Sequence, residues 1–271
     1  MLSDIKHVVL NESPRIILFP GFASKEEVEK LISMSDGHYR AMTVVDHETG
    51  NSILQESRVG ELYCVDKVEP ISEALLGRLA DVTETRLCQI EGLQVLKYGV
   101  SGYYLPHTDW FDPNNKGTGK ILRKGGQRIL SMVLGLKDAD EGGKLVFPKL
   151  GKGILIKSGD CVVFENLRNG APDNRAVHSS LPVMKGEKIS CVAWIRQRAY
   201  VGSEESTPLY PARAYPETSP VERAAQCADD LEDFFRHYGC YLRIIPTPYI
   251  DEFGAIQVNV ETKIEVTPNG R

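Results

Sequence analysis

Three side chains in this sequence are of the types that bind a catalytic metal. His107 and Asp109 stand two residues apart in the stretch GYYLPHTDWFDPNN, and His178 lies much further along the chain. In an extended strand, alternate side chains project from the same face, so this imidazole and this carboxylate would point into one region. Two imidazoles and one carboxylate form the facial triad that suits non-haem Fe(II). For the pair alone, the alternative is a strand pair hydrogen-bonded to its neighbours, because short motifs also match by chance.

A lysine that follows the distant histidine could bind an anion. Lys188 begins the stretch KISCVAWIR, where strand alternation would place it on the same face as Trp194. A lone lysine on a mostly buried strand is costly unless it meets an anion. The pattern therefore indicates a pocket with an apolar wall and a cationic end, suited to the far carboxylate of a dicarboxylic acid. A solvated lysine at a strand edge is the alternative.

The composition is that of an ordinary globular protein with a modest acidic excess. The chain has 271 residues, 42% of them hydrophobic and 25% charged, with a net charge of −5. A nucleic-acid binder would show a basic surplus, and a membrane helix needs about 18 consecutive apolar residues, so we expect neither partner. The stretch MLSDIKHVVLNESPR lacks the basic start and apolar core of a signal peptide, so we expect a cytoplasmic protein.

Cysteine spacing argues against a structural zinc site. The six cysteines include no C-x-x-C pair, and in a reducing compartment we expect six free thiols. They are Cys64, Cys88, Cys161, Cys191, Cys227 and Cys240.

Residues 1–90 read as a helical support. The stretch SKEEVEKLISMS carries a capping box, with Ser24 at the N-cap and Glu27 three residues on. EPISEALLGRLADVTE predicts a second amphipathic helix. Helices this early, followed by strands, suggest that they pack on one face of a sheet.

Residues 91–199 read as a series of short strands. LQVLKY, QRILSMVLGL, GKLVFP, GILIK, CVVFE and KISCVAWIR are rich in β-branched and aromatic residues and are separated by turn residues. KSGD predicts a tight hairpin turn with Gly159 at positive φ. This pattern favours a double-sheet jelly roll or a barrel. FDPNNKGTGKILRKGG predicts a long loop beside the H-x-D motif, which is typical of functional loops.

Residues 200–271 predict a Pro-rich linker and a small α+β appendage. VERAAQCADDLEDFFRHYG predicts a helix, and YLRIIPTPYI and GAIQVNVETKIEV predict two strands. The part after the helix is too short for a core of its own, so we expect it to pack on the main domain or to form a homodimer.

Five blocks in order carry a family resemblance: LQVLKYGVSGYYLPHTDWF, GGQRILSMVLGL, EGGKLVFP, KSGDCVVFEN and AVHSSLPVMKGEKISCVAWIR. Together they closely resemble the prolyl 4-hydroxylase family of Fe(II)- and 2-oxoglutarate-dependent dioxygenases. The resemblance extends from about Pro14 to Arg198. It implies an α+β, mainly β fold, with a double-stranded β-helix (jelly-roll) core, N-terminal helices packed on one sheet and the C-terminal appendage.

The resemblance also implies the cofactors and the metal ligands. Fe(II) would be held by His107, Asp109 and His178. 2-Oxoglutarate and dioxygen would be cosubstrates, and ascorbate could serve as reductant. The reaction would be hydroxylation with release of succinate and carbon dioxide.

Five further residues take their expected roles from the resemblance. Lys188 would bind the C5 carboxylate of 2-oxoglutarate, Tyr98 would also hydrogen-bond this cosubstrate, and Trp194 would line its pocket. Arg128 and Tyr104 match positions near the prime substrate.

One departure from the family pattern concerns the cosubstrate pocket. Where the family usually has Thr in GGETVFP, this chain has Leu145 in GGKLVFP, so a hydroxyl is absent. The expected substrate is proline in a peptide or protein. A free or carrier-tethered amino acid is the alternative, as is a non-oxidative metal-binding module on the same fold. The loops Glu48–Leu54 and Asp112–Gly126 would decide the choice of substrate.

Overall fold

The computed structural model describes residues 6–46, 48–200, 240–250 and 256–266. By their contacts, the residues divide into two compact units, Met1–Leu209 and Tyr210–Arg271. The domain boundary at residue 199 that the sequence suggests stays a prediction. Among the described residues, no helix is long and apolar enough to span a membrane.

The described part of the first unit is mainly β, with three α-helices. The helices are α1 (Lys25–Ser35), α2 (Pro70–Thr83) and α3 (Thr118–Arg123). The strands are β1 (Val8–Glu12), β2 (Arg15–Phe19), β3 (Arg40–Ala41), β4 (Val44–Val45), β5 (Ser52–Ile53), β6 (Arg58–Val59), β7 (Glu61–Cys64), β8 (Gln94–Tyr98), β9 (Tyr103–His107), β10 (Arg128–Lys137), β11 (Glu141–Gly142), β12 (Leu145–Phe147), β13 (Lys152–Ile154), β14 (Cys161–Glu165), β15 (Leu167–Arg168), β16 (Ala171–Pro172), β17 (His178–Ser180), β18 (Val183–Lys185) and β19 (Lys188–Arg196). Short 3₁₀ turns occur at Leu87–Gln89, Pro148–Leu150 and Asn174–Ala176.

The capping box at the start of α1 is confirmed. The Ser24 hydroxyl accepts a hydrogen bond from the Glu27 N–H at 3.2 Å, and the Glu27 carboxylate accepts one from the Ser24 N–H at 2.8 Å. The same carboxylate accepts two bonds from the Arg78 guanidinium of α2, at 2.9 and 3.0 Å. The cap of one helix therefore also ties the two helices together.

The major sheet has eight strands in the order β1-β2-β14-β10-β19-β8-β7-β3. Its helix-covered face buries Leu31 of α1 and Leu75 and Leu79 of α2 in one cluster with Leu134 and Cys191 of the sheet. The expectation that the early helices pack on one face of a sheet is confirmed.

The opposite face of the major sheet meets a minor sheet of five strands in the order β13-β12-β17-β9-β6. Leu145 and Phe147 of β12 join Ile16, Val162 and Phe164 of the major sheet in one buried cluster. Pairing within both sheets is antiparallel. This is the predicted double-stranded β-helix core.

Two local predictions were wrong. Gly159 has φ +84° as expected, but the KSGD turn does not close a hairpin, because β13 belongs to the minor sheet and β14 to the major sheet. The predicted long loop after the H-x-D motif contains helix α3, since TGKILR has good helix formers between its glycines.

The second unit contains an antiparallel strand pair. β20 (Cys240–Ile250) pairs along its whole length with β21 (Ile256–Val266), and both are strands that the sequence predicts. The predicted helix at residues 221–239 lies outside the described residues.

The packing of α1 predicts a large stability cost for truncating Leu31, which is fully buried. Leu31→Ala should lower the free energy of unfolding by about 2–5 kcal/mol, because it removes transfer energy and leaves a cavity. Urea denaturation would measure the loss. The exposed neighbour provides the control: Lys30→Ala should change stability by less than about 0.5 kcal/mol. Equal effects of the two substitutions would contradict the packing of this face.

Candidate active site

Two paired strands of the minor sheet bring the H-x-D motif to the distant histidine. His107 on β9 lies opposite His178 on β17, and Tyr104 lies opposite Ser180. Four residues of β9, from Tyr104 to His107, therefore lie opposite three residues of β17, from His178 to Ser180, so a bulge interrupts the strand. The bulge places Tyr104 and His107 on the same side, with their rings stacked at 3.5 Å between centroids. Strict alternation would have separated them.

Asp109 follows β9 directly and completes a compact cluster. One ligand atom from each of His107, Asp109 and His178 lies within 4.8 Å of the others. The Asp109 carboxylate oxygens are 3.7 Å from His107 Nε2 and 3.6 Å from His178 Nε2. The structure thus brings together all three residues that the sequence singled out for a metal.

Backbone hydrogen bonds set the tautomer of both imidazoles. Nδ1 of His107 lies 2.9 Å from the Leu105 carbonyl, and Nδ1 of His178 lies 3.0 Å from the Ala176 carbonyl. A carbonyl only accepts, so each Nδ1 carries a proton and each Nε2 is the nitrogen that faces Asp109. Burial, together with the neighbouring His178, lowers the pKa of His107 to about 3, which keeps this imidazole neutral.

A buried chain of hydrogen bonds orients Asp109. The Ser131 hydroxyl of β10 donates to Asp109 Oδ2 at 2.5 Å, and Asn166 Nδ2 donates to the Ser131 oxygen at 2.8 Å. Burial alone would raise the pKa of Asp109, but the charge of Arg128 and the Ser131 hydrogen bond favour the carboxylate, and its pKa lies below its usual range. The carboxylate is therefore ionised and held in one orientation.

These donors fit a divalent transition metal. Two imidazole Nε2 atoms and one carboxylate converge, and such a set can be satisfied by a cation. Two nitrogens and one oxygen from three residues leave coordination positions open, as in non-haem Fe(II) sites.

One cavity is lined both by this cluster and by Lys188. Its lining is mainly apolar and aromatic. The lining residues are Arg58, Leu96, Tyr98, Tyr104, His107, Asp109, Met132, Val133, Leu145, His178, Ser180, Lys188, Ser190, Val192 and Trp194.

Lys188 has no carboxylate in a salt bridge with it among the described residues. Its Nζ donates to the Ser180 hydroxyl at 3.0 Å and lies 5.6 Å from the centroid of the Tyr98 ring. Burial lowers the pKa of Lys188 to about 8, although the charge of Asp138 acts in the opposite direction. A buried ammonium without a carboxylate in direct contact is a binding group for an anion.

Arg58 is a cavity residue that the sequence reasoning missed. Its guanidinium carbon lies 4.6 Å from the centroid of the Tyr104 ring, and one of its nitrogens donates to the Thr43 carbonyl at 3.1 Å. Burial raises the pKa of Tyr98, and the charge of the nearby Arg58 opposes this rise. No short motif surrounds Arg58, so only the pairing of β6 with β9 reveals its place.

Tyr104 and Arg128, the two residues expected near the prime substrate, lie in different places relative to the cavity. Tyr104 lines the cavity, and burial raises its pKa to about 12, so its phenol keeps the proton. Arg128 lies behind the cavity wall, with its guanidinium carbon 3.8 Å from the centroid of the Trp194 ring. Glu91, which the sequence reasoning also missed, accepts from Arg128 at 2.7 and 2.9 Å.

Comparisons with known proteins decide the family. A family model described as 2OG-Fe(II) oxygenase superfamily matches residues 93–196. Prolyl 4-hydroxylase 1 of Arabidopsis thaliana is 34% identical over 216 residues, covering 73% of this chain and 74% of the relative. The chain belongs to the prolyl 4-hydroxylase family. It is therefore a 2-oxoglutarate-dependent dioxygenase, and its cofactor and cosubstrates are Fe(II), 2-oxoglutarate and dioxygen.

Two further comparisons concern a relative in sequence and a structure with the same fold. The prolyl 4-hydroxylase subunit alpha-1 of Gallus gallus is 31% identical over 200 residues, covering 73% of this chain and 39% of that subunit. The solved 2-oxoglutarate complex of a viral collagen prolyl hydroxylase from Paramecium Bursaria Chlorella virus-1 shares the fold. It has a TM-score of 0.50 at 23% identity, and it covers 67% of this chain and 95% of that one.

The chain of hydrogen bonds behind Asp109 predicts a role for Ser131 in holding the metal. Ser131→Ala in this dioxygenase should weaken Fe(II) binding by about 10–100-fold, because the carboxylate loses the donor that orients it. Anaerobic titration with Fe(II) would measure the affinity. Ser35→Ala removes another buried hydroxyl, one bonded to Tyr39, and should leave Fe(II) affinity unchanged. Unchanged affinity in Ser131→Ala would contradict this role.

The lowered pKa of Lys188 predicts a pH dependence for the cosubstrate. Below pH 8 the Lys188 ammonium is present and can bind a carboxylate of 2-oxoglutarate. Above pH 8 the free enzyme must first take up a proton at Lys188. The KM for 2-oxoglutarate should therefore rise by about 10-fold per pH unit above 8. Steady-state kinetics between pH 7 and 9.5 would measure this. The Lys188→Arg variant stays charged over this pH range, so its KM for 2-oxoglutarate should not vary with pH, whatever the absolute value of that KM. A flat wild-type profile would contradict the assignment.

Proposed function

We propose that this dioxygenase hydroxylates proline within a peptide or protein. The observation that supports it best is the convergence of His107, Asp109 and His178 beside a cavity that ends at Lys188. The proline substrate is supported by the relatives named as prolyl 4-hydroxylases, which match this chain over about 70% of its length.

His107, Asp109 and His178 are the iron ligands in this proposal. Their Nε2 atoms and carboxylate are preformed for a cation, because backbone carbonyls hold both Nδ1 protons and Ser131 holds the carboxylate. The protein thus needs little rearrangement to bind the metal.

The cavity between the ligands and Lys188 holds 2-oxoglutarate in this proposal. The Lys188 ammonium binds its far carboxylate, while Tyr98 and Trp194 form walls that exclude water. A charge-assisted bond in a dry cavity is stronger than the same bond in water. The pocket therefore fixes the length and orientation of the bound dicarboxylate.

Bound iron, 2-oxoglutarate and dioxygen supply the oxidative chemistry, which releases succinate and carbon dioxide and hydroxylates a C–H bond. The chain's own residues provide ligation, orientation and exclusion of water. Tyr104, stacked on His107, is the cavity residue that we propose contacts the prime substrate, and it keeps its phenol proton as a donor.

Substrate access depends in this proposal on two segments that contact each other. The β4–β5 hairpin meets the segment before α3, where Lys116 Nζ lies 3.3 Å from a Glu48 carboxylate oxygen. Gly50, at φ +70°, packs so closely that a Cβ there would lie 2.5 Å from the Gly117 carbonyl oxygen. Only glycine fits this contact, so the two segments have a defined mutual position.

A turnover assay with matched substrates tests the proposal. A peptide containing proline should give succinate and gain the mass of one oxygen atom, whereas the same peptide with alanine in place of proline should not. Asp109→Ala should abolish both products while the circular dichroism spectrum stays native, because the metal loses its carboxylate ligand. Turnover of free or carrier-tethered amino acids without turnover of any peptide would overturn the peptide substrate.

Three further points stay predictions from the sequence. They are ascorbate as the reductant, a cytoplasmic location, and a homodimer formed through residues 200–271.

A further inference from the structure

The far end of the cavity presents two polar groups side by side. Lys188 Nζ donates to the Ser180 hydroxyl oxygen at 3.0 Å, and both residues line the cavity. Ser180 stands two residues after His178 on β17, so it projects from the same face of the strand as this ligand. The cavity floor along β17 therefore runs from a metal-binding imidazole to a hydroxyl.

The hydroxyl of Ser180 has an unused proton in this arrangement. A serine hydroxyl can accept two hydrogen bonds and donate one. Because an ammonium can only donate, the Ser180 oxygen is the acceptor in its bond with Lys188. The hydroxyl proton can thus point to an anion that also contacts the ammonium. A carboxylate has two oxygens and can accept from both groups together.

The strand register relates Ser180 to the missing threonine hydroxyl. Ser180 lies directly opposite Leu145 of β12, and Leu145 lines the same cavity. Residues directly opposite in an antiparallel pair have Cβ atoms about 4.5–5.5 Å apart. A hydroxyl on one strand can therefore reach a ligand that a hydroxyl on the other strand would reach. In this chain the hydroxyl lies on β17 at Ser180, and the facing residue on β12 is the apolar Leu145. A threonine at position 145 would place the hydroxyl on β12 instead.

We propose that Ser180 is a positioning residue that donates a hydrogen bond to the far carboxylate of 2-oxoglutarate, in place of the hydroxyl that Leu145 lacks. This inference rests on the proposed placement of 2-oxoglutarate against Lys188. Ser180 acts jointly with Lys188: it holds the ammonium through its oxygen and the carboxylate through its proton.

Calorimetric titration of the anaerobic Fe(II)-loaded protein with 2-oxoglutarate tests this role without turnover. Ser180→Ala should raise the Kd for 2-oxoglutarate by about 10-fold, since a hydrogen bond to a charged group is lost. The Fe(II) affinity should stay unchanged. In kinetics, the KM for 2-oxoglutarate should rise with little change in kcat.

A double variant that restores a hydroxyl on the facing strand is the decisive test. Adding Leu145→Thr to Ser180→Ala should return the Kd to within about 3-fold of the wild type, a margin below one hydrogen bond. A merely structural role for Ser180 would not be rescued from the opposite strand. Ser179→Ala is the matched control, because its side chain projects from the other face of β17 and its Kd should be unchanged.

The outcomes separate this inference from the proposed function. If Lys188→Ala loses 2-oxoglutarate binding but Ser180→Ala binds like the wild type, the role of Ser180 is wrong and the cosubstrate pocket stands. If Ser180→Ala weakens binding but Leu145→Thr fails to rescue it, the exchange of hydroxyl positions is wrong. If Lys188→Ala also binds 2-oxoglutarate normally, the pocket itself is wrong and the inference falls with it.

Discussion

The site depends on one antiparallel strand pair, in which His107 of β9 faces His178 of β17. The two rings lie 4.3 Å apart between centroids, and each is held by a carbonyl of its own chain segment. Backbone pairing therefore sets the separation of the two nitrogen donors. A slip of one residue would turn one imidazole to the other face of the sheet and destroy the cluster. The jelly-roll frame and its helical support serve to keep this register in place.

The charges around the cavity favour a dianion. Among the residues that line it, Arg58 and Lys188 are cationic and Asp109 is anionic, while the lowered pKa of His107 keeps that imidazole neutral. A bound divalent metal adds further positive charge to the side on which Asp109 lies. An apolar wall between the metal and Lys188 leaves these fields poorly screened. In the proposed placement, a dicarboxylate that spans the cavity would meet the bound metal at one end and Lys188 at the other.

The sequence predicted the residues that line the cavity better than the contacts that orient them. Strand alternation and spacing were enough to single out His107, Asp109 and Lys188, because these residues lie in or next to strongly patterned strands. The bulge that turns Tyr104 towards the same cavity leaves no trace in the alternation, since it depends on the pairing of β9 with β17. Ser131, which holds Asp109, comes from the other sheet and could not be paired with it from spacing. Helix α3 in the long loop was not predicted, because glycines lie on both sides of its short run of helix-forming residues.

The strand register also explains the position of Glu91, an acidic residue that the sequence reasoning missed. Arg128 of β10 and Arg196 of β19 are directly opposite each other, a placement in which two like charges repel. Glu91 removes the repulsion, because one of its oxygens accepts from both guanidiniums, at 2.7 and 3.0 Å. So held, Arg128 packs on the Trp194 ring and favours the ionised form of Asp109. A buried ion cluster behind the cavity wall thus braces the tryptophan and supports the charge of the candidate metal ligand.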